Sequence, residues 1–217
     1  MLPGLYNPSA GAAAFSVSYV SNTTYTTYNG TLTMPTLEVG DLILAIAYAR
    51  RSGAFTPSPA YGTGFTSMQT NDVQYSIGPS DWGIRMCTSY RVAQSGDSGS
   101  TIGGFLNSDA EYATIAVYRP SAALATVTPL DLSTSVLDNP PFSTITASGS
   151  SLWTIAWAAV GSHTLNSMTF SPTGDFEAVV GSLRVKAIVQ APTASNVTAD
   201  AGSGTGTVYA DGYMEVS

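Results

Sequence analysis

Gly96-Asp97-Ser98-Gly99 is the segment of this chain that most invites a chemical reading, because the same four residues surround the nucleophilic serine in one class of serine proteases. A serine attacks there only when a histidine takes its proton and a buried aspartate orients that histidine, and in that protease order the histidine comes first. The sole histidine here, His163, comes later. The segment also suits a tight β-turn, in which glycine supplies positive φ and the Asp and Ser oxygens bond nearby backbone. The turn is the expected reading.

Other chemistry is equally short of residues. Zinc requires several His or Cys ligands, and the chain has one of each, far apart. Calcium could use loop oxygens, and Asn71 with Asp72, Asp109 with Glu111 and Asp175 with Glu177 are the candidate clusters. None has EF-hand spacing, so solvated turn carboxylates are expected and no cofactor is assigned. A glycosidase needs two carboxylates across a cleft, and fourteen acids select no pair. Trp82, Trp153 and Trp157 each sit in an apolar-rich strand segment and are expected to pack in the core. Gly202-Ser203-Gly204-Thr205-Gly206 precedes no strand–helix unit and reads as a turn, not a phosphate loop. His163, in a polar connection, reads as a turn or interface residue.

Charge narrows the partners. Seven basic and fourteen acidic residues give a net charge of −7, and Lys186 is the only lysine. Without a basic stripe, phosphate-driven nucleic-acid binding and adhesion to anionic membranes are excluded as expectations. Only 10% of the residues are charged, well below the usual ~25%. Solvent faces covered by Thr, Ser, Asn and Tyr desolvate cheaply, which suits lasting protein contacts. Cys87 has no intrachain partner and reads as a small buried hydrophobe. The N-terminal stretch lacks a basic start and is broken by Pro3, Gly4 and Pro8, so it does not read as a signal peptide. The apolar run Leu42–Ala49 is too short for a spanning helix.

The elements that must carry these residues are strands. Residues 1–14 read as an irregular arm, whose Met1, Leu2, Leu5 and Tyr6 are the candidate interface residues. Strands are expected at Ala14–Val20, Thr23–Tyr28, Thr31–Met34, Asp41–Arg51, Phe65–Gln69, Trp82–Val92, Thr101–Phe105 and Glu111–Arg119. Asn29-Gly30 predicts a hairpin joining the second and third of these. The unbroken apolar run from Asp41 predicts a strand covered on both faces. A longer connection, Pro120 through Pro141, carries some β character at Ala125–Thr128. Phe142–Ala147, Leu152–Val160, Met168–Phe170, Phe176–Val180, Leu183–Gln190 and Val208–Val216 complete the set. The best helical candidate, Ser121–Ala125, is too short to matter, and no repeat of fixed period is evident. The expected fold is all-β: one antiparallel β-sandwich or jelly-roll-like domain over residues 15–217, with the arm before it.

The order of certain segments resembles a class of bacteriophage virion proteins: capsid decoration proteins, head fibres and tail-fibre tips. The matching features are Val39-Gly40-Asp41-Leu42 opening an apolar strand, then Gly64-Phe65-Thr66. A strand from Trp82 to Tyr90-Arg91-Val92-Ala93 follows, then the Gly96–Gly99 turn, then Ala116-Val117-Tyr118-Arg119-Pro120. The resemblance implies a β-sandwich or jelly roll without a catalytic site, whose function lies in its surfaces. It implies a non-enzymatic capsid decoration (cement) protein, assembled in the bacterial cytoplasm and carried on the virion surface. Its partners would be the major capsid protein or other virion proteins, and it would be a homo-oligomer. Two other functions are weighed. One is a tail-fibre module gripping host surface glycans with exposed Tyr and Trp rings; the other is a polysaccharide-degrading enzyme, which would need a close carboxylate pair in a deep cleft.

Overall fold

The computed structural model describes residues 14–27, 31–52, 64–77, 80–103, 110–136, 143–145, 152–162, 168–171, 173–192, 197–201 and 207–217. The arm residues Met1, Leu2, Leu5 and Tyr6, together with His163 and Gly202–Gly206, lie outside them.

The first half of the chain builds strands β1 (Val17–Thr27), β2 (Thr31–Thr33), β3 (Leu42–Ser52), β4 (Thr66–Ile77), β5 (Ser80–Val92), β6 (Thr101–Gly103) and β7 (Ala110–Pro120). Five of them form one antiparallel sheet in the order β1-β7-β3-β5-β4, and β2 pairs with β6 as a separate ribbon. The central strand β3 follows from its residue pattern. Leu42, Leu44, Ile46 and Tyr48 point to one face, while Ile43, Ala45, Ala47 and Ala49 point to the other, and all eight are buried. The smaller set lies beneath the ribbon, where Leu32, Met34 and Ile102 close a second core with Ile115, Val117 and Cys87. A strand covered on both sides is what an unbroken apolar run requires.

The second half repeats this plan. Its strands are β8 (Val127–Val136), β9 (Ser143–Ile145), β10 (Trp153–Ser162), β11 (Met168–Ser171), β12 (Phe176–Val180), β13 (Leu183–Gln190), β14 (Val197–Ala201) and β15 (Thr207–Val216). The five-stranded sheet runs β8-β15-β10-β13-β12, and β9, β14 and β11 form the outer layer. With β11 set aside as an addition, β8, β9, β10, β12, β13, β14 and β15 pair with one another as β1 to β7 do. The side chains agree. Trp153, Ile155, Trp157 and Ala159 of β10 take the places of Leu42, Leu44, Ile46 and Tyr48, and Ala156, Ala158 and Val160 those of Ala45, Ala47 and Ala49. Every strand ladder described stays within one half.

The two large sheets pack face to face around the main core. β1 lies on β12 and β4 on β8, with β5 on β15 and β7 on β13. Each half's first strand thus faces the other half's fourth. That is the arrangement of two like units related by a pseudo-two-fold axis running along β3 and β10. The close approach at the centre depends on Gly161, because a Cβ there would fall on the Tyr48 ring. Edge strands carry the irregularities. β1 bulges at Val20, β4 at Met68, and β8 between Leu130 and Ser133. Such bulges twist an edge and discourage pairing with another chain.

The all-β, antiparallel sandwich is the fold expected. Four local expectations are corrected. The Asn29-Gly30 hairpin does not form a paired unit: β1 pairs with β7 and β2 with β6, because Leu32 and Met34 are needed over the outer face of β3. The connection after Pro120 contains a full edge strand, β8, and the run after Phe65 continues to Ile77 as β4. Val197–Ala201, not expected as a strand, is β14. Ser121–Ala125, expected to be too short for a helix, is irregular.

Candidate functional site

The strongest polar cluster sits where β3 begins and β7 ends. Gly40, at φ 94°, turns the chain. Its N–H donates to Ala93 O (2.9 Å) while Ala93 N–H donates to Asp41 O (2.8 Å), which ties the β3 entrance to the β5 exit. This places Asp41, 1% exposed, beside Arg119 at the end of β7. Arg119 Nε donates to Asp41 Oδ1 at 2.8 Å and Nη2 to Oδ2 at 2.9 Å, a two-point fork. Oδ2 also accepts the Glu38 N–H at 2.8 Å. Arg119 Nη1 reaches Glu38 Oε1 at 2.7 Å. Burial alone would raise the Asp41 pKa, but the Arg119 hydrogen bonds and the Glu38 N–H outweigh it and hold the carboxyl below its ordinary value. The same contacts raise Arg119 above its own. A cleft of about 360 Å³ opens here, lined by Glu38, Val39, Arg119, Pro120, Ala122 and their neighbours. A carboxylate this stable as the anion, with both oxygens occupied, is a poor general base. It locks a loop to two strand ends.

The Gly96–Gly99 turn does similar work. Gly96 and Gly99 have φ of 90° and 68°. Asp97 Oδ2 accepts the Gln94 N–H at 2.8 Å, and Oδ1 accepts Arg91 Nη2 at 2.6 Å. Ser98 Oγ accepts the Leu37 N–H at 3.1 Å, and Ser100 O accepts the Met34 N–H at 2.8 Å. The tetrapeptide therefore clips the segment entering β3 to the segment leaving β5. Its serine oxygen is an acceptor for backbone.

Asp175 and Glu177, neighbours in sequence, serve different partners. Glu177 bridges Arg184 (2.9 Å) and Lys186 (3.3 Å) across β12 and β13. Asp175 Oδ2 accepts the Val189 N–H at 2.6 Å. Nearby, Tyr19 stacks on Phe176 at 5.5 Å and meets Tyr118 edge-on at 5.9 Å, joining the two halves. The Tyr118 hydroxyl is buried and finds no partner among the described residues. Burial, and then the Asp175 charge, push the Tyr118 pKa far up. Partial loss of water around its carboxyl also raises Asp175, against the pull of the Val189 N–H. A carboxyl whose pKa rises on folding opposes the fold once pH passes its unfolded value. Asp175→Asn, which keeps an oxygen for Val189, is therefore expected to raise Tm at pH 7 and to lose that advantage as pH falls below about 4. Thermal melts of both proteins across that range check this; a Tm gap independent of pH would refute it.

Trp157 is fully buried, and Trp153 Nε1 donates to Phe15 O at 2.9 Å, linking β10 to the start of β1. Both are packing residues, as expected, and Cys87 is buried in the outer core of the first half. The side chains of Trp82, Asp72 and Glu111, and the whole of Asp109, fall outside the described residues. Among the described residues no group of three His, Cys, Asp or Glu side chains could hold a metal ion. Arg119 with Asp41 is the pair that residue-by-residue reading missed. Both lie in segments that carry the family resemblance, but 78 positions separate them and only the sheet register joins them.

The fold and this cluster define a class: an antiparallel β-sandwich of two like halves, the first of them carrying carboxylate–arginine clamps at one end of its sheet. Comparisons of the chain with protein-family models, with curated proteins and with solved structures find no match.

Proposed function

We propose that this chain is a non-enzymatic structural protein of a bacteriophage virion, a capsid decoration protein that bridges major capsid subunits on the head surface. The observation that carries this reading is where the charged groups go. Arg91, Arg119, Arg184 and Lys186 each meet a carboxylate of the same chain at a strand end or across a ladder. Strand ends fixed in this way, and central strands covered on both faces, make a stiff plate. With only 10% of its residues charged, such a plate offers its surroundings easily desolvated surface, suited to lasting contact with neighbouring proteins. On a symmetric lattice, weak contacts of this kind add into avidity. The arm Met1–Ala14 would contribute apolar anchors through Leu2, Leu5 and Tyr6.

Binding to purified phage heads lacking the protein tests this. The expected result is saturable occupancy, with density for the chain bridging capsid subunits in cryo-electron microscopy. Deleting residues 1–14 is expected to weaken occupancy several-fold. Absence of the chain from the head, with density at a fibre tip, would move the function to the receptor-binding alternative.

A further inference from the structure

We propose that the sandwich is a fused dimer, in which each half is a complete recognition surface for the other, so that halves can exchange between two copies of this chain. Three observations carry this. First, the seven equivalent strands of each half pair with one another in the same order, and no described ladder crosses between halves. Second, what joins the halves is side-chain contact: the inner faces of β3, β5 and β7 pack against those of β10, β13 and β15, with the Tyr19–Phe176 stack at one side and the hydrogen bond from Trp153 to Phe15. Isologous interfaces between separate subunits are built in this way. Third, the covalent link between the halves is the six-residue segment Ser121–Thr126, which lies in neither sheet.

The link has little slack. β7 lies on β13, whereas β8 is at the far edge beneath β4, three strand positions away and in the other sheet. With strands ~4.8 Å and sheets ~10 Å apart, the link must span about 17 Å. Pro120 to Val127, fully extended, reaches about 24 Å; without two residues it reaches about 17 Å. A link shortened by two cannot close comfortably within one chain, but it can in an exchanged pair, where the first half of each copy packs on the second half of the other. The inter-sheet contacts are the same in both forms, so little opposes the exchange beyond the effective concentration that the intact link supplies.

The test is the full chain with Ala122 and Ala123 deleted. Both are exposed and make no described hydrogen bond, whereas Leu124 packs on the main core. The expected result is a particle of twice the monomer mass by light scattering, with an unchanged β-type circular dichroism spectrum. A folded monomer with the parent Tm would overturn the proposal. Should the deleted chain fail to fold, a second variant decides: the full chain with a protease site inserted between Ala122 and Ala123, cut after folding. The two fragments are then expected to co-elute one to one and to reassemble after dilution from urea. Fragments that separate without denaturant, or that do not reassemble, would overturn it.

Discussion

Replacing Trp157 by alanine is expected to lower the unfolding free energy by about 3–5 kcal/mol, the range for truncating a large buried aromatic. Trp157 is the largest fully buried side chain among the described residues and lies in the middle of β10, on the pseudo-two-fold axis. Its neighbours across the ladders are Ala187 and Gly212, small enough to leave the indole its room. The equivalent residue of the other sheet, Ile46, is flanked by Thr88 and Thr114. Alanine at 157 would open a void that these short neighbours cannot fill without moving whole strands. Trp157→Phe is a sharper comparison. The indole Nε1 finds no acceptor among the described residues. Phenylalanine removes that unpaired donor, which offsets its smaller volume by about 1–3 kcal/mol. Urea unfolding should show a large fall in midpoint for the alanine variant, with the slope unchanged, and less than half that fall for phenylalanine. A loss below about 1 kcal/mol for alanine would show that the two sheets do not depend on this contact.

The strands were legible where side chains obey a simple period. The run Leu42–Ala49 reads as doubly covered because no polar residue marks a wet face, and Ala113, Ile115 and Val117 share a face because they alternate. Strands β4 and β8 were half-hidden. Asn71-Asp72 and Pro129 look like turn chemistry, yet edge strands tolerate both, since one side of their backbone needs no partner. The Asn29-Gly30 signal failed for a different reason. A local hairpin preference competes with covering a sheet, and the buried Leu32 and Met34 decide in favour of the cover.

The duplication was not legible as a repeat because its spacing drifts. Equivalent strands begin at Val17 and Val127, but at Ala110 and Thr207 by the end of each half, and β11 is inserted between β10 and β12. What persists is size class rather than identity: large residues on the inner face of the central strand, and alanines beneath the outer layer. Burial preserves volume and leaves the letters free. The polar clamp shows the complement of this. At the positions equivalent to Asp41 and Arg119 the second half has Leu152 and Ser217, so the clamp belongs to one half and a search for repeats passes over it.

Asp41→Asn is expected to cost roughly 2 kcal/mol at pH 7, the scale of hydrogen bonds made to a charged partner. The ion pair itself is discounted, because Arg119 is 36% exposed and water screens it. What the substitution loses is the anion's ability to accept three N–H donors at once, from Arg119 Nε, Arg119 Nη2 and the Glu38 backbone. An asparagine oxygen takes fewer of these, and its amide turns a donor toward them. The pH dependence follows from the sign of the shift. Folding lowers the Asp41 pKa, so its contribution is fully present above the ordinary carboxylate value of 3.8 and is lost as pH falls through the lower folded value. Arg119 stays charged throughout. The parent and the variant should therefore differ most at neutral pH and converge in strong acid, with the variant's curve the flatter below about pH 4. Asp175→Asn should move in the opposite direction at neutral pH, so the two variants together separate a carboxylate that the fold uses from one that it tolerates. Equal stability of Asp41→Asn and parent at pH 7 would mean that the clamp closes the loop without holding the strand ends together.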